Sequence, residues 1–95
     1  MIDLEEVFDK YSDEHLDFNL VENKLHHRSD ICAFLLLDKL LPSNRDIVSS
    51  ADHDIIYLDA DLEELAKVAT EEDILMLIRC GVFYDSETGS LAMFV

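Results

Sequence analysis

Four histidines and two cysteines are the side chains in this chain best suited to hold a metal or attack an electrophile. His26 and His27 are adjacent, so on a helix they point about 100° apart. His15 and His53 lie in other segments. No H-x-x-x-H or C-x-x-C spacing occurs, and no metal site is expected. "DADLEE" starts like a calcium loop at Asp59 and Asp61. It lacks the turn glycine and a closing bidentate glutamate at the right offset, so it reads as a strand end and a helix cap. Cys32 and Cys80 fall in apolar helical patterns without basic neighbours to lower their pKa, and read as reduced, buried small hydrophobes. Two glycines cannot build a phosphate-cradling loop, and no G-x-S-x-G is present. Among 22 acids, a close carboxylate pair carries little information. The expectation is therefore a non-enzymatic protein with no catalytic residue, metal or cofactor. An enzyme using His26, His27 and nearby carboxylates is a third reading, and would require metal bound after purification.

Charge is the unusual property. Twenty-two acids against seven bases leave −15 over 95 residues. The acids are spread along the chain: nine in residues 1–30, five in 31–60 and eight in 61–95. Such a surface repels nucleic acid and anionic membrane, and attracts basic partners. The longest apolar run, Ile31 to Leu37, has 7 residues, far short of the roughly 20 needed to span a bilayer. The N-terminus is acidic and lacks the pattern of a signal peptide. A cytoplasmic protein is expected.

The elements that must carry this charge fit one domain over residues 1–95, with 49% hydrophobic residues to build a core. Leu4, Val7, Phe8 and Tyr11 form one apolar stripe of a first helix from Ile2 to about Ser12, with Asp3 and Glu6 as a capping box. From Asp13 to Arg28 the pattern is ambiguous, leaning to a helix over Phe18–His26. Ser29 or Asp30 caps a helix that runs to Leu41 and stops at Pro42. That helix is apolar nearly all round, which predicts a central core helix. "PSNRD" reads as a loop, and Asp46–Ala51 as one more helical turn. Ile55–Leu58 reads as a short strand. Asp61 caps the next helix with Glu64 at its third position, and Glu63 and Lys67 make an i,i+4 pair. Thr70 caps the last helix, with Asp73 three residues on; Ile74, Leu77 and Ile78 form its inner stripe, and Gly81 ends it. Val82–Asp85 and Ser90–Val95 read as strands joined by "SETG", with Gly89 placed for positive φ.

The fold class is thus a small single α+β domain: three to four helices, a short strand and a C-terminal β-hairpin. From Ile55 to Val95 the order strand, helix, tight turn, helix, two-stranded wing resembles a winged-helix domain. The resemblance implies that the last helix would enter a DNA major groove N-terminus first. Here that end is Glu71, Glu72 and Asp73, the wrong sign for phosphate. Residues 61–95 offer only Lys67 and Arg79 against eight acids. Direct nucleic-acid binding is not carried over.

Acids in a first helical turn also stabilise a helix through its dipole, by roughly 0.3–1 kcal/mol each. That explains individual helix starts but not −15 overall. Duplex DNA carries one charge per about 1.7 Å, so a length matching a domain about 30 Å across holds about 18 charges. The chain is therefore expected to inhibit or regulate a basic, nucleic-acid-handling protein by charge complementarity, as a DNA mimic or immunity-type inhibitor does. A phage or mobile-element inhibitor fits the size and acidity, and so do host regulators. The acids expected to bind the partner are Asp59, Asp61, Glu63, Glu64, Glu71, Glu72 and Asp73. The alternative is a structural or adaptor protein that dimerises or docks through an apolar hairpin and helix surface, with Phe83, Tyr84 and Phe94 as anchors. Leu91, Met93 and Val95 face one way in the last strand and Ala92 and Phe94 the other, so that strand is either doubly covered within the domain or part of an interface.

Overall fold

The computed structural model describes residues 2–21, 24–42, 48–52 and 54–94. They form α1 (Leu4–Lys10), α2 (Ser29–Leu40), β1 (Val48–Asp52), β2 (Ile55–Leu58), α3 (Leu62–Val68), α4 (Glu71–Arg79), β3 (Val82–Asp85) and β4 (Ser90–Phe94), with 3-10 turns at Ser12–Glu14 and Phe18–Leu20. The four strands make one antiparallel sheet in the order β1-β2-β4-β3. The class is α+β, as expected.

Local chemistry explains most element boundaries. An Asp3 side-chain oxygen accepts from the Glu6 amide, starting α1. One Asp61 oxygen accepts from the Glu63 and Glu64 amides, starting α3. At α4 the capping box is complete: Thr70 Oγ1 accepts from the Asp73 amide and Asp73 accepts from the Thr70 amide. The α4 exit turns at Gly81, with φ +103. The hairpin closes with Gly89 at φ +69, its amide donating to Asp85 O.

α4 is the centre of the fold. Ile74, Leu77 and Ile78 are fully or nearly fully buried, and α1, α2, both 3-10 turns and β3 all pack on this helix. The inner sheet face adds Leu58, Val82, Leu91 and Met93, all buried. On the other face Tyr57, Ala92 and Phe83 lie side by side across three strands. Leu91 and Met93 are buried on the core face of β4, and Ala92 is buried between Tyr57 and Phe83 on the outer face, where Phe94 stays 53% exposed. Val95 lies outside the described residues.

The structure corrects several expectations. α2 is not the central helix: it buries Cys32, Ala33, Leu36 and Leu37 while Leu35 stays 43% exposed. Its start lacks a side-chain cap; Arg28 takes the cap position and Asp30 instead accepts from the neighbouring Ile31 amide. The helix expected over Phe18–His26 is a single 3-10 turn followed by non-helical chain through His26, residues 22–23 lying outside the described residues. Phe18 and Val21 pack inward from that 3-10 turn, while Leu20 and Leu25 are exposed, so Leu25 does not continue the stripe that a helix there would need. The helical turn expected to reach Ala51 is a strand from Val48, because pairing with β2 overrides weak local preference. Residues 43–47, which include most of the expected loop, lie outside the described residues. Val68 is 49% exposed, and Ala69 takes the inward place. Lys67 bonds Glu64 at i,i+3 rather than Glu63 at i,i+4.

Candidate functional site

The seven acids expected to bind a partner separate into those with a local bond and those without. Asp61 caps α3 and Asp73 completes the α4 capping box. Glu64 pairs with Lys67 at 3.3 Å. Glu71 reaches across to α1, accepting from Lys10 Nζ at 3.1 Å and from the Tyr11 hydroxyl at 3.4 Å. The Lys10 pKa is raised, first by the hydrogen bond to Glu71 and then by that to Tyr11. Glu63 and Glu72 are exposed and make no side-chain bond among the described residues. Asp59 is exposed just after β2. The structure does not gather the seven at one point. Between the starts of α3 and α4 lies a helix of 7 residues, about 10 Å of rise.

A second acidic region gives a different picture. A groove of about 680 Å³ runs between α1 and the edge strand β3. Its floor holds Phe8, Ile78 and Val82, all buried, with half-buried Phe83 and Tyr84 toward the sheet. Its α1 wall carries Glu5, Glu6 and Asp9, all exposed and none in an ion pair among the described residues. No lysine or arginine lines it. Periodicity alone marked α1 only for its apolar stripe; the same 3.6-residue repeat places Glu5 and Asp9 together on its other side, which was the available signal.

The far end of this groove is fixed by the segment after α1. The Leu16 amide donates to Ile78 O at 3.1 Å, and His15 Nε2 lies 2.9 Å from Gly81 O. A Cβ at Gly81 would stand 2.6 Å from Leu16 Cδ2, the end of an exposed side chain that can turn away, so it is the positive φ that calls for glycine there. Glu14 and Arg79 close a half-buried ion pair beside it, with Arg79 Nη2 at 2.6 Å. The His15 ring meets Phe83 and Phe94 edge-on, and those two rings stack at 5.1 Å. Phe94 is 53% exposed. Apart from the Phe83–Phe94 stack within the hairpin, these contacts join residues about 60–80 positions apart, and nothing local in the sequence announces them.

His26, His27 and the two cysteines lie outside this groove. His26 and His27 stack at 4.3 Å, with His26 Nδ1 accepting from the Arg28 amide. Among the described residues no group of three or more His, Cys, Asp or Glu could hold a metal ion. Both cysteines are free and buried. The Cys80 thiol is pushed up to about 12, chiefly by burial and then by the neighbouring Cys32 thiol. No helix among the described residues is long and apolar enough to cross a membrane. Comparison with protein-family models, curated proteins and solved structures finds no match for this chain.

Proposed function

We propose that this chain is a non-enzymatic acidic binding module that inhibits or regulates a basic, nucleic-acid-handling protein by charge complementarity. One observation carries the reading. The cations are largely consumed within the fold: Lys10, Arg28, Lys67 and Arg79 each pair with a carboxylate of the same chain. Glu5, Glu6, Asp13, Asp38, Glu63 and Glu72 then face solvent with no cation of their own among the described residues. The body that presents them measures 30 × 28 × 26 Å. A duplex of that length carries about 18 charges, comparable with the net −15 here. In this reading residues 55–95 keep a winged-helix order of elements and have exchanged a DNA-facing charge for a protein-facing one. The cytoplasm is the compartment the reading implies.

The test is affinity capture from source-cell lysate at low and high salt, followed by competition on the captured protein. A basic nucleic-acid-binding protein, retained at low salt and released at high salt, is expected, and added chain should displace duplex from it. Capture that resists salt, or a partner whose duplex stays bound, would overturn the inhibitor reading.

The adaptor reading has one observation in its favour. Phe94 stays half exposed against Phe83 at the edge of the sheet's outer face. An interface there would give a homodimer or a docked partner whose affinity barely changes with ionic strength.

A further inference from the structure

We propose that the groove between α1 and β3 receives a lysine- or arginine-bearing segment of the basic partner, and so is the specific contact within the broader acidic surface. The inference rests on the acidic-module reading above. Its occupant follows from the two kinds of wall. The floor, built on Phe8, Phe83 and Tyr84, is apolar and aromatic, whereas Glu5, Glu6 and Asp9 on α1 supply only negative charge. A side chain that satisfies both is long and aliphatic along its stem and cationic at its tip, which describes lysine and arginine. An arginine tip can also lie flat on the Phe83 or Tyr84 ring. A simple anion is repelled by the wall, and a purely apolar segment leaves three carboxylates to be desolvated without a partner.

One acid of this wall, Asp9, is also placed against the stability of its own helix, whereas Glu5 and Glu6 lie in the favourable first turn. Glu5 and Asp9 stand at i,i+4, where like charges repel. Asp9 lies in the last turn, where the helix dipole disfavours an acid. The basic residue of that turn, Lys10, is directed to Glu71 on α4. A cation arriving in the groove relieves this repulsion, so binding and helix stability are linked.

The experiment is a titration of the 15N-labelled full chain, at low salt, with two capped peptides of equal charge. One is Arg-Leu-Arg-Leu-Arg and the other Arg-Ser-Arg-Ser-Arg. The leucine peptide should shift amides in α1 and β3 most, and bind more tightly than the serine peptide. The variant Glu5→Gln/Glu6→Gln/Asp9→Asn should weaken it about tenfold, and Glu71→Gln/Glu72→Gln by less than about twofold. Circular dichroism checks that both variants fold, and Asp9→Asn alone should weaken binding in the same direction. Shifts spread evenly over the acidic surface, or equal losses in the two multiple variants, would overturn the groove and leave the acidic module standing. Failure of both peptides to bind the unmodified chain would overturn the groove, and the module reading is then decided by its own capture experiment.

Discussion

α1 and α4 pack against each other and both open with acid-rich turns, yet their acids do different things. On α4, Asp73 holds the capping box and Glu71 ties the helix to Lys10 and Tyr11. On α1, only Asp3 bonds its own backbone, while Glu5, Glu6 and Asp9 line a groove with no cation among the described residues. The two stretches are alike in composition. What separates them is the geometry around each carboxylate, and that decides which acids hold the fold and which are available to another molecule.

Five substitutions break or sharpen this contrast. The largest effect belongs to the centre of α4. Leu77→Ala removes a fully buried side chain and should cost about 2–5 kcal/mol in urea unfolding, whereas Leu35→Ala on α2 should change stability by less than about 0.5 kcal/mol. Similar losses in both would mean that α2 shares the centre after all. Next comes the start of α4: Thr70→Ala opens the capping box and should cost about 0.5–2 kcal/mol, read from the same transition. Glu71→Gln should lower the midpoint less than Thr70→Ala does, and the difference from the unmodified chain should vanish in high salt, because its pair with Lys10 is exposed. The smallest change has the opposite sign. Asp9→Asn should stabilise the chain by about 0.2–0.5 kcal/mol at low salt, by removing an acid that faces Glu5 and the wrong end of a helix dipole. A loss of stability in that variant would show that Asp9 holds the fold, and the contrast between the two helices would disappear.

Much of the second half of the fold was legible because it is written locally. Thr70 with Asp73, Asp61 before Glu63 and Glu64, and Gly81 and Gly89 at their turns are signals three residues or fewer apart, and each made the bond or took the φ its spacing demanded. β1 was not legible, since "VSSAD" has no alternation and becomes a strand only by pairing with β2. The apolar α2 misled for the same reason: hydrophobicity without a distinct face does not say where a helix sits. At the candidate site, the sequence reading rested on the acids around α3 and α4. Asp61, Glu64, Glu71 and Asp73 carry structural bonds, and the wall formed by Glu5, Glu6 and Asp9 depends on β3 arriving opposite α1 from about 75 residues away.

The buried thiols make α2 a helix whose departure can be timed. Cys32 sits on α2 and Cys80 at the end of α4, each fully shielded, with the Cys80 thiol held protonated by burial and by its neighbour. An alkylating reagent therefore reaches sulfur only through an opening of the fold, and Cys32 on α2 reports the lifting of that helix or the unfolding of the whole chain. At high reagent concentration the labelling rate equals the opening rate, and at low concentration it reports the open population. Labelling faster than global unfolding would make α2 an independently opening unit. The two sulfurs are a clock already built into the interface between the peripheral helix and the central one.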